Sequence, residues 1–323
     1  LPVVAPIQEP QQRKDEVHHV LERAVESSRA FDDGAPANYI PELAQADCDQ
    51  VSAAVTYCDG GTVSAGDVPH HRFTLQSSAK LVVLLGLLEE RGPDEVFSIV
   101  GREPSTSGFA SVASLDRGSP ANPLVNAGAI ALCGQLRGNA EDRMAWLEFW
   151  AERCYGTRLS VNSRVLASER RTGDRNRAIA YLLREKGIFT DPVDDVLEVY
   201  FTMCSLEANT IETSRLPALL ASGGLDPSGQ RIISRTTVGS TVSLMATCGM
   251  YDESGTYLVE AGLPAKSGVS GVIVAVAPGR AGIAVASPRL NRNGGSIRGH
   301  HILRRLSSEL GWHFAHAGEP GRA

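Results

Sequence analysis

Lysine is the residue this chain of 323 most conspicuously lacks. It occurs only as Lys14, Lys80, Lys186 and Lys266, against 27 arginines. Arginine keeps its proton near neutral pH, whereas a desolvated lysine can lose it, so each remaining lysine is a candidate for proton chemistry. Paired cysteine motifs are missing too. Cys48, Cys58, Cys133, Cys154, Cys204 and Cys248 are scattered with no Cys-x-x-Cys among them. That excludes a zinc ribbon and fits small buried hydrophobes in a reducing cytoplasm. The longest apolar run, Leu81 to Leu88, is far short of a membrane span. Leu1 to Pro6 lack the basic and hydrophobic regions of a secretory leader. A net charge of −6 gives no basic excess for nucleic acid. Neither nucleic acid nor a membrane is therefore an expected partner. His70-His71 and His300-His301 alternate in direction and suit no metal motif, so exposed polar pairs and no bound metal are expected.

What is present suffices for a large core. Hydrophobic residues make up 42%, and the length allows one large domain or two unequal lobes. Residues 1 to 11 read as an unanchored lead-in, followed by a polar helix from about Asp15 to Ala30. Val51, Ala53, Val55 and Tyr57 alternate, and Asp59-Gly60-Gly61 turns them toward Thr62-Val63-Ser64 as a hairpin. Ser77, Lys80, Leu81, Leu84, Leu85 and Leu88 recur at helical spacing until Gly92-Pro93. Further helices are expected after Asn122-Pro123, over 174 to 186, from Asp191-Pro192, and from Thr236 to near Gly249. Strands return at Thr256 to Glu260, Val269 to Ala277 and Gly282 to Ala286, and a last helix spans Ser296 to Leu310. The economical architecture is α/β (α+β): an antiparallel sheet built from both chain ends, flanked by helices, with a helical subdomain between.

Two of the four lysines sit in suggestive settings. Ser77 and Lys80 are three residues apart in Gln76-Ser77-Ser78-Ala79-Lys80, so one helical turn points both the same way. A serine hydroxyl becomes a nucleophile when a neighbouring base takes its proton, and a neutral lysine can be that base. Ser77 at a first helical turn also has free N–H groups that favour an oxyanion. Lys266-Ser267-Gly268-Val269 opens a late strand. There Lys266 is expected to supply a cation that lowers the Lys80 pKa, and Gly268 to let a substrate approach the backbone. Ser-x-x-Lys followed by Lys-Ser-Gly is the order of serine β-lactamases and penicillin-binding proteins. Ser160-Val161-Asn162 is a candidate for their intervening Ser-x-Asn element.

Longer blocks speak for another branch. Tyr39-Ile40-Pro41-Glu42-Leu43, Phe73-Thr74-Leu75-Gln76-Ser77, Glu103-Pro104-Ser105, Asn122 to Ile130, Ser168-Glu169 with Gly173-Asp174-Arg175-Asn176, Cys248 to Gly255 and Gly262 to Val269 occur in this order. Together they resemble the serine-dependent glutaminase family, from about Tyr39 to Trp312. The resemblance implies a β-lactamase-like fold, and an enzyme hydrolysing L-glutamine to L-glutamate and ammonia without a cofactor. It implies Ser77 as nucleophile, Lys80 as base and Tyr251 as proton relay. Tyr39, Gln76, Asn126, Glu169, Asn176, Tyr200 and Val269 fall on its substrate-binding positions, with Lys266, Ser267 and Gly268 in support. A homodimer or homotetramer is the assembly it implies. The glutaminase domain is set at 31–315, with a sheet lobe (about 31–80 and 240–315), a helical lobe (about 81–239), a lead-in and helix over 1–30, and a tail over 316–323. The chain departs from the family pattern at Thr106-Ser107-Gly108-Phe109-Ala110. Two other readings remain open: a β-lactamase or penicillin-binding enzyme, and an amino-acid-sensing domain without turnover.

Overall fold

Five antiparallel strands carry the molecule, in the order β2-β1-β8-β7-β6. The structure is a computed structural model that describes residues 10–105 and 118–316. β1 (Ser52–Tyr57) and β2 (Thr62–Gly66) form the expected N-terminal hairpin, with Thr56 opposite Thr62. β6 (Ala265–Ser267), β7 (Val272–Ala277) and β8 (Ala281–Ala286) come from the other end of the chain, and β8 pairs with β1 to join the two. A small sheet of β3 (Phe73–Thr74), β4 (Ser160–Val161) and β5 (Leu206–Ala208) ties the helical region to the segment before Ser77.

The central strands are apolar on both faces because helices cover both. Val55, Tyr57, Ile273, Ile283 and Val285 point into one core, shared with α1 (Gln11–Ser28), α11 (Ser254–Ala261) and α12 (Ile297–Leu310). Val272, Val274, Val276, Ala284 and Ala286 point the other way, into a larger core. This is the period of two that a pleated strand imposes. The helices around that larger core are α3 (Lys80–Ile99), α4 (Asn126–Cys133), α5 (Ala140–Tyr155), α7 (Asp174–Glu185), α8 (Val193–Cys204), α9 (Thr210–Ala221) and α10 (Arg235–Cys248). Gly92 (φ 75°) breaks α3 just before Pro93, where the sequence predicts a stop. Two short helices, α2 (Pro41–Ala44) and α6 (Ser163–Thr172), lie at the edge of the site described below.

Two expectations change. Thr256 to Glu260 is not a strand but part of α11. The β-branched residue Val259 is 80% exposed, while Ser254, Tyr257 and Ala261 are buried at helical spacing. Helical burial here outweighs β propensity. The strand expected from Val269 begins only at Val272, because Gly271 (φ 92°) turns the chain where a Cβ would lie 2.0 Å from Ser287 O.

α9 lies directly across β8. A Cβ on Gly282 would stand 1.9 Å from Ala218 N, among backbone atoms that cannot swing away. Gly282→Ala is therefore expected to lower unfolding stability by about 3 kcal/mol, the upper range for overpacking. Urea denaturation checks it, and an unchanged midpoint would refute the close approach.

Candidate active site

The site is built where the segment after β3 meets the end of β6. Leu75 is fixed by its N–H to Leu206 O at 2.8 Å, and a tight turn, Gln76–Ala79, then leads into α3. Gln76 (φ 48°) and Tyr251 (φ 53°) are the two non-glycine residues with left-handed backbone among the described residues. Each such residue costs on the order of 1–3 kcal/mol and persists only where its surroundings hold it. Gly268 helps to hold Gln76: a Cβ there would lie 2.7 Å from Leu75 O and 3.4 Å from Gln76 Cβ, so only glycine lets β6 press on the turn. Ser77 sits on this turn and is 8% exposed.

Lys80 begins α3 and is buried. Its Nζ donates to Leu124 O at 3.2 Å and Asn126 Oδ1 at 2.7 Å. Asn122 prepares that contact: its Oδ1 accepts the Leu124 and Val125 N–H groups and shapes the turn into α4. Asn126 in turn donates to Asn176 Oδ1 at 3.1 Å. Burial pushes its pKa down to about 8, and the thiols that line its pocket, Cys204 and Cys133, offset this only in part. Lys266, also fully buried, donates to Ser267 O at 2.7 Å and stands 4.5 Å from the centre of the Tyr251 ring. Burial first and Lys80 second drive it well below the usual lysine value. Burial is the main cause for both, and the repulsion between the two ammonium groups is mutual.

Tyr251 completes this side. Its hydroxyl donates to Ser267 O at 3.4 Å and shares a hydrogen bond with Ser77. Burial raises its pKa, while those two hydrogen bonds pull it down. Lys80 makes no direct hydrogen bond to Ser77 among the described residues.

The opposite wall is acidic. Glu169, on α6, is 4% exposed, and its Oε1 lies 2.9 Å from the Tyr39 hydroxyl. That hydroxyl is also 2.8 Å from Gln76 Oε1. Burial raises the Glu169 pKa, Tyr39 and Gln76 oppose it through hydrogen bonds, and Glu42 adds a further upward push. Tyr200, on α8, is buried as its apolar stripe predicts; burial raises its pKa well above the usual phenol value, and nearby Glu169 pushes the same way. Val269 lies on the turn after β6 and packs against Ile40, Leu43 and Val165. Its N–H finds no acceptor among the described residues.

The structure thus links Ser77 to Tyr251, Lys80 to Asn126 and Asn176, and Gln76 to Tyr39 and Glu169. Such a cluster can take a proton from a serine, hold an oxyanion on backbone N–H groups, and bind an ammonium on a buried carboxylate. Ser160-Val161-Asn162 is not part of it. Asn162 caps α6 through Val165 N and donates to Glu207. The histidine pairs also differ from expectation. His71 is buried against Ser52 Oγ, and burial pushes its pKa to about 4. His300 packs edge-on to Tyr257. Leu124 and Cys204 were not foreseen, since one acts through a backbone carbonyl and the other as an uncharged wall. The departure at Thr106 to Ala110 lies outside the described residues.

Comparison with known proteins adds an independent line. A sequence model of the glutaminase family matches residues 34–314. The glutaminase of Legionella pneumophila strain Corby is 47% identical over 299 residues, 92% of this chain and 96% of the relative. Glutaminase 2 of Clostridium perfringens is 40% identical over 90% of this chain and 97% of its own. Among solved structures, Bacillus glutaminase superposes with a TM-score of 0.83 at 32% identity, covering 92% of this chain and 99% of that one. Mglu in its glutamate form gives 0.88 at 33% identity, over 97% and 71%.

With four lysines in the chain, lysine side-chain NMR signals can be assigned by single Lys→Arg variants. The Lys80 signal is expected to titrate near pH 8, well below the value of about 10.4 for a free lysine. A midpoint near the free value would mean that the site is wet and that Lys80 keeps its proton.

Proposed function

The chain belongs to the glutaminase family, within the serine β-lactamase-like superfamily, and on that premise we propose that it works through a Ser77 acyl-enzyme with Lys80 as base. It is a glutamine amidohydrolase, releasing L-glutamate and ammonia. The observation that carries the mechanistic reading is a buried lysine with no carboxylate partner among the described residues, one turn beyond a serine already hydrogen-bonded to a tyrosine.

The steps balance as follows. Ser77 Oγ attacks the side-chain amide carbon of glutamine while its proton passes to Lys80. The oxyanion rests on the Ser77 and Val269 N–H groups. As the C–N bond breaks, Tyr251 gives a proton to the departing ammonia and is reprotonated from Lys80. Water then attacks the glutamyl ester, loses its proton by the reverse route, and restores the Ser77 hydroxyl. Lys80 and Ser77 share no direct hydrogen bond among the described residues, and catalytic contacts of this kind commonly tighten as substrate binds.

Glu169 holds the α-ammonium, held in place by Tyr39 and Gln76. Asn126, Asn176 and Tyr200 bind the polar ends of the substrate without adding charge. Lys266 and Ser267 position Tyr251 from behind, and Gly268 lets the turn close. The free cysteines support a reducing, cytoplasmic setting. A homodimer or homotetramer rests on the family resemblance.

Ser77→Ala is expected to abolish ammonia release, and Lys80→Arg to cut it by about 10²–10⁴-fold, the usual worth of a general base. Retained turnover in Ser77→Ala would end the acyl-enzyme scheme. Labelling of Ser77 by a fluorescent penicillin would move the reading to the penicillin-binding branch. Tyr251→Phe is expected to lower kcat more than it raises KM. The reverse pattern would make Tyr251 a binding residue rather than a relay.

A further inference from the structure

A cavity of about 490 Å³ lies away from Ser77, between the β1–β2 turn, the C-terminal end of α5, α9 and the loop 225–227. It opens beside β1, three strand spacings from β6, or about 14 Å across the sheet. Its walls are largely apolar, with Cys58, Cys154, Ala218 and Leu219 among them, and it carries four charged residues.

The two acids are already engaged. Asp59 accepts Lys14 Nζ at 2.8 Å and the Gly61 N–H at 2.9 Å. Asp226 accepts Ser228 N, Ser228 Oγ and Gln230 N, which hold its carboxyl below the usual range. The two arginines are not. Arg153 lies over the rings of Phe149 and Trp150, and its Nε is buried with no acceptor. Arg215 makes no hydrogen bond or ion pair among the described residues. A buried donor without an acceptor costs about 1–3 kcal/mol, and a guanidinium fork fits a carboxylate two bonds at a time.

We infer that this cavity is a second ligand site, for a small organic carboxylate with an apolar body. The carboxylate lies on Arg153 and Arg215, and the body lies on the apolar wall. The volume is in the range of small-molecule sites. Because α5, α9 and β1 all line it, an occupant braces the sheet against the helices without touching the catalytic cluster.

The probe is 3-phenylpropionate, titrated calorimetrically into the full chain, with 3-phenylpropionamide as its uncharged counterpart. Saturable one-to-one binding of the acid but not the amide is expected, unchanged by saturating L-glutamate. Arg153→Met and Arg215→Met keep much of the side-chain volume and leave ammonia release unchanged. At least one of them is expected to weaken binding about tenfold or more. The inference fails if the acid does not bind saturably, if the amide binds equally, if glutamate displaces the acid, or if neither variant weakens it. The acid-to-amide comparison needs no variant, so a misfolded mutant leaves the test intact.

Discussion

Two buried lysines without a carboxylate partner among the described residues are the constraint on which this molecule turns. Moving an ammonium out of water costs several kcal/mol unless it is paired or gives up its proton. Lys80 is met by a carbonyl and an amide oxygen, and Lys266 by a carbonyl. These accept hydrogen bonds but supply no full negative charge. The remaining cost is relieved by losing a proton, and both groups are displaced that way. A lysine pushed down to about 8 is a product of desolvation, so any change that lets water in favours its charged form again.

Keeping water out requires two distant parts of the chain to touch. Lys80 starts a helix of the large core, while Lys266 lies on the edge strand of the sheet. Glycines make their junction close enough. Gly268 lies against Leu75 and Gln76, and a Cβ on Gly249 would stand 1.7 Å from Ala265 O. The left-handed backbones at Gln76 and Tyr251 fall at the same junction. Their strain, a few kcal/mol together, is offset by the two cores that clamp the sheet on either face. That strain aims Gln76 at Tyr39 and the Tyr251 hydroxyl at Ser77.

How much of this was legible beforehand follows from what carries each feature. The hairpin, β8, α4, α7, α8, α10 and α12 could be read because apolar spacing and turn residues agree there. α11 could not, since its β-branched residues face water and only a packed neighbour reveals the helical period. Ser77, Lys80 and Lys266 were legible through the scarcity of lysine and the spacing of Ser-x-x-Lys. The contact made by Leu124 was hidden, because a carbonyl has no side-chain signature. The burial of Lys266 was hidden as well. Spacing suggests a cation near Lys80, but only the packing shows that both are held out of water. His71 read as exposed because sequence does not reveal that Ser52 waits for it in the core.

Burial also explains the imbalance between the two basic residues. The two arginines buried whole among the described residues have their charge answered. Arg143 meets Asp191 at 2.8 Å, and Arg298 reaches Asp49 and the carbonyls of Phe31 and Cys48. Lysine is buried where no carboxylate among the described residues answers it. Of the two outer lysines, Lys14 is ion-paired with Asp59 and Lys186 stands at the C-cap of α7. An arginine at position 80 or 266 would carry a permanent charge into a wall that offers only neutral oxygens, with no proton to release. Replacement of lysine by arginine elsewhere meets no such barrier. The composition thus separates cations whose charge is answered from lysines held out of water beside neutral oxygens.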